Sequence, residues 1–287
     1  MSKVFLQPQQ VNDKMRKAWL PRRKKDSHKG DYGRLLLLCG SVGYTGAAVL
    51  ASQAAVRSGA GLVFVGVPES VYPIVAGKLT EPMVFPLPCE DGKLSKEAVP
   101  EILKRLERMD ACLIGCGLGQ SEGTFEVVKS VLGNAHCPVV VDADGINVLQ
   151  GHIDVLCGAA CPVILTPHAG EFQRLGGDFS ESRFHEVRKL HNKTGATILL
   201  KGHRTLICGE GGCFVNSTGN PGMATGGSGD VLAGIIVSLL GQGLSPIRAA
   251  ALGAWLHGRA GDEAAKRLGE YGLLPRDLIR RLPQLLK

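Results

Sequence analysis

Asp230 closes the densest run of glycine in the chain, in NSTGNPGMATGGSGDVLAGIIVSLLG at residues 216–241. Behind it, residues 231–240 are apolar except for Ser238, so the segment reads as a glycine-rich loop opening a buried helix. Glycine permits positive φ and lets a ligand approach bare amides. A helix start leaves unpaired N–H groups and a partial positive charge. Together they favour an anion, most often phosphate. A carboxylate at that mouth either caps the helix or takes a proton from a hydroxyl as it attacks a phosphoryl group. The local pattern leaves both open, since it has neither the GK[ST] of a P-loop nor GxGxxG.

Five more polar or glycine-rich clusters each follow an apolar run. The leucines at 35–38 lead into CGSVGYTG, and residues 111–114 lead into GCGLG. Residues 138–141 end in DADGIN, where Asp142, Asp144 and Asn147 could hold Mg²⁺ or a ribose hydroxyl or cap a short helix at 146–150. Residues 162–165 precede TPHAGE, with His168 and Glu171 in one turn, either structural or catalytic. Residues 197–200 precede KGHRT, where Lys201 meets a nucleotide phosphate or extends to solvent.

Continuous apolar runs of this kind are strands buried on both faces. With helices expected at 47–58, 69–79, 96–109, 125–132, 181–194, 246–268 and 275–286, they predict about seven strands alternating with helices. A Pro-rich passage at 81–88 reads as an edge strand or loop, and a hairpin is expected to end at Asn216. Such βαβ repeats give an α/β fold with a mostly parallel sheet and helices on both faces. All the clusters then fall at the carboxyl edge, where open α/β sheets bind ligands.

The chain has 287 residues, 44% hydrophobic and 21% charged, as expected of a globular protein. Ten Lys/Arg and three Asp lie in the first 34 residues, so the net charge of +7 sits in that arm and the remainder is balanced. This distribution argues against a nucleic-acid partner. Residues 1–29 read as a basic arm, with a short helix at 11–20 stopped by Pro21, and residues 30–287 as one domain. Nine scattered cysteines without CxxC predict reduced thiols, with Cys112, Cys116, Cys157 and Cys161 behaving as small buried hydrophobes. No apolar run reaches the roughly 18 residues of a membrane span, and the N-terminus lacks a signal-peptide core. A cytoplasmic protein is expected.

In order and spacing, GSVGYTGAAVLASQAAVRSGAGLV, GCGLG, VDADGINVL, ILTPHAGEFQRL, LKGHRT and NSTGNPGMATGGSGDVLAG resemble the NAD(P)H-hydrate dehydratases, over residues 29–259. That resemblance implies a ribokinase-like three-layer sandwich. It also implies a reaction in which a nucleoside phosphate phosphorylates the 6-hydroxyl of hydrated NADH or NADPH (NADHX, NADPHX) and phosphate is then eliminated. By the same resemblance Asp230 is the base at the substrate hydroxyl, and Ala47, Gly117 and His168 contact the hydrated cofactor. Gly226, Gly227 and Gly229 form the anion hole, Lys201, Gly202, His203, Arg204 and Thr205 hold the adenosine nucleotide, and Glu171 lies near a Mg²⁺ ion. The bacterial form of the loop points to ADP as donor, giving AMP and phosphate. The chain lacks the epimerase domain of some members, so a separate epimerase is its expected functional partner, and a homotetramer is the expected assembly. Three residues depart from the family pattern: Cys116 for a usual proline, Ser228 for a frequent threonine, and Pro221 within the glycine run.

Two other functions share parts of this pattern. A ribokinase-fold kinase for a small alcohol, of hydroxyethylthiazole or hydroxymethylpyrimidine type, would accumulate a stable phosphorylated product. A non-catalytic nucleotide-binding protein would bind ADP without turnover.

Overall fold

The computed structural model describes residues 7–20, 22–180 and 182–287. Pro21, the expected helix stop, and Glu181, the expected start of a helix, lie outside the described residues. The first half comprises β1 (Gln9–Gln10), α1 (Asp13–Trp19), β2 (Arg34–Leu38), α2 (Thr45–Arg57), β3 (Leu62–Pro68), α3 (Tyr72–Ala76), β4 (Met83–Leu87), β5 (Cys89–Glu90), β6 (Lys93–Leu94), α4 (Val99–Leu106), β7 (Ala111–Ile114) and α5 (Glu122–Asn134). The second comprises β8 (Val139–Val141), α6 (Asp144–Asn147), α7 (Asp154–Cys157), β9 (Val163–Leu165), α8 (Ala169–Arg174), α9 (Arg183–Thr194), β10 (Thr197–Leu200), β11 (Thr205–Gly209), β12 (Gly212–Asn216), α10 (Ser228–Gly241), α11 (Pro246–Leu268) and α12 (Pro275–Leu285).

Among the described residues, ten strands form one sheet in the order β1-β12-β11-β10-β9-β8-β7-β2-β3-β4. From β4 through β10 every neighbouring pair is parallel, and the β10–β11–β12 end is antiparallel. The residues of β2 show why its leucines are unbroken. Leu35 and Leu37 enter the core under α2, α10 and α11, whereas Leu36 and Leu38 enter the core under α4, α5 and α9. Side chains alternate across a strand, so a central strand must be apolar on both sides. The result is a helix–sheet–helix sandwich of three layers.

The structure departs from the sequence expectations in four places. The basic arm is laid onto the sheet: Gln9 and Gln10 pair in parallel with Phe214 and Val215, and Val11 is buried. The small hairpin β5–β6 has no counterpart in the seven strands expected, while the Pro-rich passage is an edge strand, β4. Cys157 ends the short helix α7 and is exposed, unlike buried Cys112 and Cys116. Cys208 and Cys213 face each other across β11–β12 and form a disulfide, so these two thiols are not reduced as expected. No helix among the described residues is long and apolar enough to cross a membrane.

Candidate active site

Strand order reverses between β2 and β7, and the chain leaves both strands through glycine turns at their carboxyl ends. This is the topological switch point at which open α/β sheets form a ligand crevice. The two turns are tied together: the Gly40 amide donates to the Cys116 carbonyl at 2.8 Å, and Ser41 Oγ donates to the Gly117 carbonyl at 2.8 Å. Gly117 has φ +63°, and a Cβ placed on it would lie 2.9 Å from the Cβ atoms of both Ala47 and Tyr44. Only glycine combines that backbone with that approach. Ala47 and Gly117 therefore share one wall of the crevice.

At the end of β9, His168 is the N-cap of α8. Its Nδ1 accepts from the amides of Gly170 (3.0 Å) and Glu171 (3.3 Å), and Glu171 Oε2 accepts in return from the His168 amide at 2.8 Å. This is a capping box. Nδ1 accepts, so the ring proton is on Nε2, which lies 3.4 Å from Glu171 Oε1, and just over half of the side chain is exposed.

Asp142 follows β8 directly, and the next residue, Ala143, is held at φ +48°, a conformation sparsely populated outside glycine. The buried carboxylate of Asp142 accepts at Oδ1 from Lys201 Nζ at 2.7 Å, and Oδ2 faces the Cys116 thiol at 3.9 Å. Lys201 Nζ also lies 3.7 Å from Glu171 Oε2. Burial works against the ammonium charge, but Asp142 and Glu171 outweigh it and lift the Lys201 pKa above the ordinary lysine value. Glu171 is thus a cap and a counter-ion. A metal ion at its carboxylate would have to displace Lys201 or His168. Among the described residues no three His, Cys, Asp or Glu side chains gather as a metal cluster.

The glycine loop enters this cluster from above. Gly227, at φ +92°, is the N-cap of α10, and Val231 makes the first helical bond, to the Gly227 carbonyl. The amides of Gly229 and Asp230 precede that bond and have no intrahelical acceptor. A Cβ on Gly229 would lie 3.6 Å from Lys201 Nζ and 3.7 Å from Asp142 Oδ2, so the bare helix start faces the charged pair. Gly226 borders open space. Burial pushes the Asp230 carboxyl up to about 6, with the Asp142 and Asp144 charges adding to the shift and the Cys116 thiol and Lys201 opposing it. Asp230 thus titrates where a general base is useful at neutral pH. It does not cap the helix, because α10 has no side-chain cap bond.

The sequence profile of the NAD(P)H-hydrate dehydratases matches residues 35–284. The chain belongs to the NAD(P)H-hydrate dehydratase family. A bifunctional NAD(P)H-hydrate repair enzyme of Moorella thermoacetica is 48% identical over 280 residues, covering 94% of this chain and 53% of that protein. An ADP-dependent (S)-NAD(P)H-hydrate dehydratase of Neisseria meningitidis serogroup B is 38% identical over 257 residues, covering 86% of this chain and 82% of that one. Among solved structures, the ADP/ATP-dependent NAD(P)H-hydrate dehydratase of Bacillus subtilis, co-crystallized with ATP/Mg²⁺, is 33% identical with a TM-score of 0.80 over 97% of both chains. The chain spans about half the length of the bifunctional relatives it matches. The expected ribokinase-like sandwich is the fold this family member has.

Of the residues the family pattern singles out, the fold gathers Ala47 with Gly117, His168 with Glu171 and Lys201, and Gly229 and Asp230 with Asp142. His203 and Arg204 stand exposed in the turn after β10, with Gly202 at φ +145° and Arg204 at φ +55°. Thr205 Oγ1 braces that turn by donating to the Gly202 carbonyl at 2.9 Å. Asp144 and Asn147 do not cap α6, whose N-cap is Ala143. Instead Asp144 accepts from the Gly119 amide at 2.9 Å and Asn147 from Arg174 at 2.9 Å, joining the second glycine turn to α8. Asp142 as the partner of Lys201, and the Cys116 thiol beneath Asp230, are functions the sequence reading did not assign.

Proposed function

We propose that this chain restores NADH or NADPH from the hydrated cofactor at the expense of a nucleoside phosphate, with Asp230 as the base. Asp230 takes the proton of the substrate hydroxyl, the oxygen attacks the terminal phosphoryl group of ADP, and AMP leaves. Phosphate then leaves the phosphorylated carbon, the neighbouring ring carbon gives up a proton to water, and the double bond of the dihydronicotinamide ring returns. The observation that carries the reading is the placement of Asp230, on the turn that opens α10, between bare loop amides and the Asp142–Lys201 pair.

The residues fit the demands of the reaction. Phosphoryl transfer asks mainly for positioning and for stabilisation of developing charge. The Gly226, Gly227 and Gly229 backbone offers the anion site, and the exposed turn at 202–205 borders the nucleotide. Ala47 and Gly117 form the wall for the hydrated dinucleotide, with the half-exposed ring of His168 at its edge. Lys201 acts here as the counter-ion that keeps Asp142 and Glu171 from repelling the incoming phosphates. Mg²⁺ ordinarily takes a few carboxylates together with substrate phosphates, but Asp142, Asp144 and Glu171 are engaged within the protein, and no step here runs through the ion.

ADP is the proposed donor, a homotetramer the proposed assembly, and an epimerase acting on the same hydrates the proposed functional partner. The test adds the protein and Mg²⁺ to chemically prepared NADH hydrate with ADP, with ATP, or without nucleotide. Near-ultraviolet absorbance of the reduced nicotinamide follows the product. A rise that requires ADP supports the reading. A rise with ATP alone overturns the donor, and a stable phosphorylated product without inorganic phosphate would point to a small-alcohol kinase.

A further inference from the structure

Helix α11 runs beside the glycine loop and touches it at both ends. Asn216 Nδ2 donates to the Ala254 carbonyl at 3.1 Å and Thr218 Oγ1 to the Trp255 carbonyl at 3.1 Å. Asp262 accepts from the Gly219 amide and from Asn220 Nδ2, both at 3.1 Å. Glycines make this approach possible, since a Cβ on Gly258 would collide with Thr218 and one on Gly261 with Met223. These contacts fix the entry of the loop. At its exit, where α10 begins, the contact comes from one side chain: His257 Nε2 lies 3.2 Å from Ser228 Oγ.

Ser228 is the first residue of α10, between Gly227 and Gly229, and is buried. Its hydroxyl has one proton to give. If that proton went to His257, none would face the anion site. The tautomer of His257 therefore matters. Burial pushes the imidazole down to about 4, aided by the Lys201 charge and opposed by the hydrogen bond to the Ser228 backbone. The ring is neutral at physiological pH and has a single N–H, for which Ser228 Oγ, 3.2 Å from Nε2, and the Ser228 backbone compete.

We propose that His257 is a positioning residue for phosphoryl transfer: its Nε2–H donates to Ser228 Oγ and leaves the hydroxyl proton aimed at the anion over the start of α10. Ser228 then adds a side-chain donor to the loop amides, preorganised before the substrate arrives. The inference rests on the reading of the glycine loop as the phosphoryl site.

The test measures recovery of NADH from its hydrate with ADP and Mg²⁺ for Ser228→Ala, His257→Ala, the double variant and His257→Gln, with Asp230→Asn as reference. Ser228→Ala and His257→Ala should each lower kcat on the order of tenfold to a hundredfold with little change in KM for ADP, as loss of a transition-state donor does. The double variant should be no slower than Ser228→Ala alone, because both changes remove the same donor. Glutamine, whose amide nitrogen reaches the position of Nε2, should restore most of the rate. Multiplying effects in the double variant, or a wild-type rate for His257→Ala, would overturn the proposal. Should His257→Ala not fold, His257→Gln against His257→Asn decides, since the asparagine donor falls at the Nδ1 position: equal rates overturn it and a faster glutamine supports it. If Asp230→Asn kept the wild-type rate, the base reading would fall, while the coupling of Ser228 to His257 would still decide this inference.

Discussion

Lys201 Nζ donates to Asp142 Oδ1 at 2.7 Å, joining the ends of two strands that are 59 residues apart in sequence. The same ammonium lies 3.7 Å from Glu171 Oε2, so one cation balances two buried carboxylates at the floor of the crevice. Asp230 faces this floor, and its electrostatics depend on the pair being intact.

Lys201→Met should therefore be damaging. Removing one partner of a buried pair leaves an uncompensated charge and commonly costs about 3–5 kcal/mol. Urea unfolding should show a loss of that order, and adding Asp142→Asn should recover part of it. An unchanged midpoint for Lys201→Met would mean that the pair is solvated and carries no stability.

The acid limb of kcat should follow Asp230. Its carboxyl is raised to about 6 by burial first and by the Asp142 charge second, so the base is protonated and inactive below that pH. Turnover should fall tenfold per pH unit below about 6 and flatten above it. A pH–rate profile with its limb near the ordinary carboxylate range would show that Asp230 is not the titrating base.

Stability should run the other way. Asp230 binds its proton more tightly folded, near 6, than unfolded, near 3.8, so ionising it weakens the fold. Stability should drop as pH rises from about 4 to about 6 and stay level beyond. Asp230→Asn has no charge to bury, so it should be more stable than the native chain at neutral pH by up to about 3 kcal/mol. Near pH 4 the two should converge. Thermal melts across that range check the sign, and a less stable Asp230→Asn at neutral pH would contradict it.

The crevice wall makes a separate prediction. Gly117→Ala places a Cβ at φ +63° and 2.9 Å from Ala47 and Tyr44. The turn must shift, and KM for the hydrate should rise while ADP binding by calorimetry stays as it was. Equal losses in both would place Gly117 elsewhere than in the substrate wall.

How much of this the sequence discloses depends on the range of the interaction. The leucines of β2 are legible because burial on both faces writes itself into four adjacent residues, and the loop before α10 because glycine and the following apolar helix are contiguous. The two-residue strands β1, β5 and β6 are too short to carry a period. Long-range partners leave no local sign: nothing near Lys201 names Asp142, and nothing near Ser228 names His257. Asp142, Asp144 and Asn147 are conspicuous as oxygen-bearing residues, yet their hydrogen bonds run to Lys201, Gly119 and Arg174, which only the folded sheet brings to them.

The central claim is that Asp230 is the base, and the most direct measurement is the turnover of Asp230→Asn on NADH hydrate with saturating ADP and Mg²⁺. Asparagine keeps the shape of the side chain and cannot accept the proton. The account predicts a folded protein that binds ADP as the native chain does and turns over about 10²–10⁴-fold more slowly, the usual cost of removing a positioned base. A folded Asp230→Asn with near-native turnover would contradict it.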